Sequence, residues 1–306
     1  MNPAHVPVMT SEVIAALAIK PGAIHIDCNI GDGGHAEAIL NASRDVFLLG
    51  IDLDADALDA AEARLSGYVS SIRLVHGNFA DVASIAVGSR ARDASGVLFD
   101  LGVSSRQLDT AERGFSFRQE APLDMRFDIE SRTTAADIVN RYSERDLEAI
   151  IRDLGEEPRA RAVARAIVRN RRIETTTELA RVVTGALNYP AHSRVHPATR
   201  TFQALRMAVN SELENLEQGL LGAIETLQKG GRLVTLTYHS IEDRVVKNLM
   251  RREAVDCICL PSAPICICDH KASVRLINRR VLTPTREEIR SNPRARSAKM
   301  RIAEKL

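Results

Sequence analysis

The chain lacks any apolar run of the roughly 20 residues needed to cross a bilayer as a helix. It also lacks the charged-then-apolar opening of a signal peptide. Both absences point to a cytoplasmic protein with no membrane partner. Excess charge of either sign is missing too: the formal net charge is only +1 over 306 residues, which excludes a polycation as a whole. Lysine is scarce, six residues against 35 arginines. Arginine is the better bidentate partner for phosphate, although a compositional bias would give the same excess. Cysteine is sparse, with five residues. In a reducing compartment they do not form a disulfide framework by default. What is present is ordinary for a globular chain, 45% apolar and 26% charged, and long enough for two domains.

The chain is organised around Asp27-Cys28-Asn29-Ile30-Gly31-Asp32-Gly33-Gly34-His35. The apolar run Ala23-Ile24-His25-Ile26 precedes it, and Ala36-Glu37-Ala38-Ile39-Leu40 follows. That is a strand, a glycine turn and a helix. The glycines let the backbone approach a ligand, and the free N–H groups of the helix suit an anion or polar group. A second apolar run, residues 46–51, ends at Asp52, near the spacing at which nucleotide folds place a carboxylate on ribose hydroxyls. Gly31-x-Gly33-x-x-Ala36 also fits a dinucleotide fingerprint. Asp27, just before the turn, and Asp100, ending another apolar run, favour S-adenosylmethionine (SAM).

Further strands are predicted at 72–75 and 97–99. Phe79, after the third strand, can stack on a base or pack in the core. Short strands alternating with helices predict a parallel sheet. The pattern then stops. A long irregular segment carries Arg113-Gly114-Phe115-Ser116-Phe117 and Leu123-Asp124-Met125-Arg126, and such segments are more often functional than idle. Residues 134–188 read as helical, with starts at Ser143 and Thr175. Within them, Arg161, Arg165, Arg169 and Arg172 share a helical face opposite Val163, Ala166 and Ile167. That face is either solvated or a phosphate-binding stripe.

After a break at 188–193, one long helix is predicted to start at His196-Pro197-Ala198-Thr199-Arg200, with an apolar stripe from Leu205 to Leu227, ended by Gly230-Gly231. A fifth strand follows at 232–238, leading into His239-Ser240-Ile241-Glu242-Asp243-Arg244. The simplest organisation is one α/β domain (1–108 and 196–306) interrupted by an all-helical insertion (109–195) for RNA or substrate recognition. The tail carries Cys257-x-Cys259 and Cys266-x-Cys268. Two readings stay open there, four thiolates on zinc or a reduced loop, and no metal ligand is assigned. Residues 292–302 are cationic, with an alternating pattern that could add an edge strand.

Together these motifs resemble the ribosomal RNA small subunit methyltransferase H (MraW) family. The resemblance runs through His5-Val6-Pro7-Val8, Gly33-Gly34-His35, Asp100-Leu101-Gly102-Val103-Ser104-Ser105, Gln107-Leu108-Asp109, the two motifs of the irregular segment, Gly155-Glu156-Glu157, residues 196–204, His239-Ser240, Glu242-Asp243-Arg244 and Asn292-Pro293-Arg294. It implies a Rossmann-like class I SAM-dependent fold with a helical insertion. It also implies methylation of cytidine N4 in the decoding region of small-subunit (16S) ribosomal RNA, within an assembled subunit. A homodimer is left open. By position, Gly33, Gly34 and His35 would hold the methionine end of SAM, Asp52 the ribose and Phe79 the adenine, with Asp100 and Gln107 completing the pocket. Three positions depart from the family pattern. Asn29 stands where threonine is usual, Asp32 where glycine is usual, and Tyr238 where phenylalanine is common.

Asp100 is the candidate catalytic acceptor for the cytosine amine, and His239 is a candidate base, RNA contact or structural histidine. Two other functions compete: an NAD-dependent oxidoreductase using the same turn, and a non-catalytic RNA-binding assembly factor.

Overall fold

The computed structural model describes residues 7–187, 196–260 and 265–306. His5 and Val6 of the first motif, and the break expected at 188–193, lie outside the described residues. In chain order the elements are α1 (Thr10–Leu17), β1 (Ile24–Asp27), α2 (Gly34–Ala42), β2 (Phe47–Asp52), α3 (Ala55–Arg64), β3 (Ile72–His76), α4 (Val82–Gly88), β4 (Ala94–Asp100) and α5 (Ser105–Asp109). Then come α6 (Ala135–Arg141), α7 (Glu144–Asp153), α8 (Ala160–Arg169), α9 (Thr176–Leu187), α10 (Thr199–Val209) and α11 (Glu212–Thr226). The chain closes with β5 (Leu227–Thr237), α12 (Ser240–Arg252), β6 (Val274–Leu276), α13 (Arg286–Ser291) and β7 (Lys299–Lys305). No helix among the described residues is long and apolar enough to cross a membrane.

The chain divides into two compact units. One joins Met1–Gly102 to Leu213–Leu306, and the other is Val103–Glu212. The first unit is a seven-stranded sheet in the order β3-β2-β1-β4-β5-β7-β6. The strands from β3 to β5 are parallel, and β7 runs antiparallel to both β5 and β6. This is the mostly parallel, Rossmann-like sheet that the alternation of short strands and helices predicts. Its central strands are apolar on both faces because helices cover both. Val97, Leu98 and Phe99 are each fully buried, and each such side chain contributes roughly 1.5–3 kcal/mol of burial free energy.

Two expectations about this unit change. The cationic tail does not form an edge strand. β7 lies between β5 and β6, with Val234 opposite Ile302 and Leu276 opposite Ala303, and the three-residue β6 takes the edge. The glycines at 230–231 do not end a helix either. The helix stops at Thr226, β5 begins at Leu227, and the pairing with β4 slips around residues 228–231, where Gly230 has φ +79°.

The single long helix expected to start at 196–200 is two helices. α10 ends at Val209, and Ser211 sits in the left-handed region at φ 47°. The Asn210 side chain secures the break within the helical unit. Its amide donates to the carbonyls of Met125 and Arg206, and its Oδ1 accepts from the Phe127 N–H at 2.7 Å. The apolar stripe runs in phase through both helices, so the sequence pattern conceals the break.

The helical unit has its own core of Phe115, Leu123, Met125, Ile138, Leu147, Ile151, Val163, Ile167, Leu179 and Leu205. The irregular segment is structural within it. Gly114 has φ +70°, and a Cβ there would stand 2.3 Å from the Pro122 carbonyl. Arg113 donates to the carbonyls of Arg126 and Phe127, while Asp124 takes a bidentate contact from Arg126. Ser143 caps α7 by accepting from the Asp146 N–H, and Thr175 accepts from the Glu178 N–H.

Candidate active site

The glycine turn fits between three parallel strand ends. β1 delivers Asp27, β2 delivers Asp52 and β4 delivers Asp100. Gly31 donates to Asp52 Oδ2 at 2.9 Å, and the Asp54 N–H donates to Oδ1 at 3.0 Å. The carboxylate therefore fastens the turn to the end of β2. Gly77 donates to the Asp52 carbonyl at 2.9 Å, which ties the end of β3 to the same point and sets the turn carrying Phe79. Gly33 has φ +78°, and a Cβ there would press on Leu65 at 3.1 Å. A side chain on Gly34 would meet Pro7 at 3.2 Å. At Gly33 any other residue would also be strained by the positive φ, and at Gly34 Pro7 would have to shift by a few tenths of an ångström.

His35 opens α2 from beneath. It is 4% exposed, and its Nε2 lies 3.5 Å from Asp100 Oδ2. Burial works against its charged form, but the Asp100 carboxylate, and then Asp27, outweigh burial and raise its pKa above the usual histidine value. Asp27 is 1% exposed. Burial pushes it up to about 7, opposed by His35 and the Asn29 N–H and assisted by Asp100 and Asp52. Asp52 is raised to about 6, again chiefly by burial, with its backbone N–H partners pulling the other way. Cys28 is buried in the same turn, and burial together with Asp27 holds its thiol well above the ordinary range. It stays protonated and unreactive.

Asp100 can be reached by an incoming group, with 20% of its side chain exposed; Asp52 is also partly exposed, whereas Asp27 is buried. Tyr238, from the end of β5, donates to its Oδ1 at 2.7 Å. Sequence reasoning noted Tyr238 only as a departure from the family pattern. Its proximity to Asp100 follows from the β4–β5 pairing, which seats Asp100 opposite Leu236. Gly102, at φ +116°, gives the Tyr238 ring room; a Cβ there would stand 3.3 Å from it.

His239 takes a structural position. It is the N-cap of α12, its Nδ1 accepting from the Glu242 N–H at 3.4 Å, and its Nε2 lies 2.8 Å from Glu242 Oε1. Beside Tyr238 and His239 opens a cleft of about 310 Å³, also lined by Ser240, Thr283, Arg296 and Lys299.

The structure thus brings Gly33, Gly34, His35, Asp52 and Asp100 together. Phe79 is half-packed: its ring meets Phe99 edge-on at 5.6 Å, and Gly219 leaves space for it. Gln107 belongs to the helical unit, where it is 5% exposed. There Ser104 and Gln107 form a capping box at the start of α5, with Gln107 Oε1 accepting from the Ser104 N–H at 3.0 Å. That S-x-x-Q pattern was readable in the sequence.

The residues fit a small, positively charged nucleoside. The Asn29 Oδ1 and the His35 Nδ1 are buried without a hydrogen-bond partner among the described residues, which is costly unless a ligand supplies one. The close group of carboxylates suits a cationic ligand. It suits the diphosphate of a dinucleotide poorly, because like charges brought together in a desolvated site repel strongly.

The chain is similar to known proteins along nearly its whole length. A Dehalococcoides mccartyi protein named ribosomal RNA small subunit methyltransferase H is 52% identical over 303 residues, 99% of this chain and 86% of its own length. The protein of the same name from Pelobacter propionicus is 50% identical over 309 residues, covering 99% of this chain and 98% of its own. A solved rRNA methylase from Streptococcus thermophilus covers 99% of this chain and 98% of its own, a distant likeness at 10% identity and a TM-score of 0.43. The sequence model of the MraW methylase family matches residues 2–306, and the chain belongs to that family.

Proposed function

We propose that this chain transfers a methyl group from SAM to the exocyclic N4 of a cytidine in the decoding region of small-subunit ribosomal RNA. The single observation that carries the reading is the reachable carboxylate of Asp100, held by Tyr238 at a strand end beside the glycine turn, in a chain of a methylase family. SAM supplies an electrophilic methyl group on a sulfonium centre. Asp52 stands where ribose hydroxyls would be bound, the turn and His35 where the methionine end would be held, and Phe79 where the adenine would lie.

The cytosine amine is a poor nucleophile because its lone pair is delocalised into the ring. Asp100 accepts a hydrogen bond from that amine, turning electron density toward the methyl carbon. Holding the reacting atoms in line also lowers the barrier, since a well-oriented pair has part of its entropy cost met on binding. The target base leaves its stack to reach the site. The inserted helical segment, 109–195, grips RNA phosphates through the exposed Arg161, Arg165 and Arg169 of α8. Arg296 and Lys299, lining the cleft beside Tyr238, contact the RNA backbone. The substrate is an assembled small subunit.

Calorimetry separates this reading from an oxidoreductase. SAM binds with one site per chain, and NAD gives no heat of binding at concentrations that saturate SAM. Saturable NAD binding with no response to SAM would overturn the proposal.

A further inference from the structure

Between α12 and the edge strand β6 the chain makes an exposed excursion that the methylation reading does not use. Its base is closed by backbone hydrogen bonds. Ser273 and Val274 both donate to the Glu253 carbonyl, at 2.8 and 3.1 Å, and the Ala272 N–H donates to Asp256 Oδ1 at 3.2 Å. Among the described residues beyond that base, the large apolar side chains are exposed. Ile258, Leu260, Ile265 and Ile267 are 50%, 77%, 74% and 88% exposed. Those described side chains contribute little burial free energy to hold the segment.

Its four cysteines nevertheless converge. The Sγ atoms of Cys257, Cys259, Cys266 and Cys268 all lie within 4.8 Å of one another. Cys257 to Cys266 is 3.4 Å, Cys266 to Cys268 is 3.6 Å, Cys257 to Cys268 is 3.8 Å and Cys259 to Cys266 is 4.0 Å. Four sulfurs at about 2.3 Å from a tetrahedral zinc stand about 3.8 Å apart. A disulfide needs about 2.05 Å, and pairing two by two would not require all four to meet.

A second feature points the same way. Three backbone N–H groups aim at the sulfurs, each at 3.4 Å: Ile258 to Cys268, Cys259 to Cys257, and Ile267 to Cys259. Such donors stabilise the negative charge of thiolates and orient them, as outer-shell partners do around metals. The one-residue spacing within each Cys-x-Cys is narrower than usual for zinc. Here the chain bends at Cys259 and Cys268, and all four sulfurs still lie within 4.8 Å of one another.

We propose that Cys257, Cys259, Cys266 and Cys268 form a structural zinc site that folds this excursion. On binding, four thiols release their protons and form four zinc–sulfur bonds, with no change in oxidation state. All four positions are filled by protein, so the ion is closed to substrate and takes no part in the methyl transfer.

The test uses the full chain, purified under reducing conditions without chelator and analysed for metals, then stripped and reloaded with zinc or cobalt(II). The expected result is about one zinc per chain. Cys257, Cys259, Cys266 and Cys268 should resist a thiol reagent until a chelator is added, while the buried Cys28 stays unreactive throughout. The cobalt form should absorb with sulfur-to-cobalt charge transfer and the strong visible bands of a tetrahedral site. Replacing Cys257→Ser and Cys266→Ser should reduce bound zinc at least about tenfold. Failure of the reduced native chain to retain or take up either metal would overturn the proposal even if that variant does not fold. So would mass-spectrometric detection of two disulfides, or stoichiometric iron in place of zinc. None of these outcomes depends on whether the chain methylates RNA.

Discussion

The Tyr238 hydroxyl donates to Asp100 Oδ1 at 2.7 Å, joining the ends of β4 and β5 across 138 positions of sequence. Burial, with the Asp100 charge adding to it, holds the Tyr238 phenol well above its ordinary pKa, so it remains a donor throughout the working range of pH. The contact fixes one carboxylate oxygen and leaves the other, Oδ2, directed toward His35.

Tyr238→Phe removes that donor without altering the ring. A hydrogen bond to a charged group contributes about 1.5–3 kcal/mol, part of which the carboxylate recovers from water because it is not fully buried. The expected loss is about 3- to 10-fold in kcat, with SAM affinity within about twofold of wild type. Single-turnover methylation and calorimetry on the same preparation measure both. An unchanged kcat would show that Tyr238 does not position Asp100.

Asp27 links stability to pH. Its pKa is raised to about 7 in the folded chain, against about 3.9 when unfolded. Between those values the folded state binds more protons than the unfolded state, so this group's contribution to stability falls as pH rises toward 7 and is then fully lost. Asp27→Asn removes the cost of a buried charge. The variant should be more stable than wild type at pH 8, by an amount on the order of a few kcal/mol at most, with the gain shrinking toward pH 5. Urea unfolding at the two pH values measures this. A gain that is the same at both would contradict the assignment.

The strand–turn–helix at 24–42 and the parallel strands were legible because apolar runs ending in glycine or acid are local signals. The place of β7 was not, since its pairing with β5 is set by tertiary register rather than by its alternating pattern. The break at Asn210-Ser211 was hidden for a related reason. Its cause is a set of bonds from Asn210 to residues more than 80 positions away, while the local apolar stripe runs straight through. At the site, the carboxylates could be listed from the sequence. Which of them is reachable depends on burial, 1% for Asp27 against 20% for the Asp100 side chain. The role of Tyr238 was likewise invisible, because it depends on a partner in another strand.

The arginine face of α8 gives a prediction with a salt signature. Arg161, Arg165 and Arg169 are exposed opposite the buried Val163, Ala164 and Ile167. Arg165 lies 3.6 Å from Glu144, so Arg161 and Arg169 are the better probes. The double variant Arg161→Glu and Arg169→Glu should weaken binding to small-subunit RNA by about 10-fold or more at low salt. It should also reduce the salt slope by about 2. Unchanged affinity and slope would assign the face to solvent.

The central claim concerns the reacting atom. Nucleotide-resolution mapping of methylated cytidine in small-subunit RNA, from cells lacking the protein and from cells carrying the native chain or Asp100→Asn, tests it directly. The account predicts one N4-methylated cytidine in the decoding region that disappears without the protein and returns with the native chain. Asp100→Asn should restore it at least about 100-fold more slowly. An N4 methyl group that persists without the protein, or full restoration by Asp100→Asn, would contradict the account.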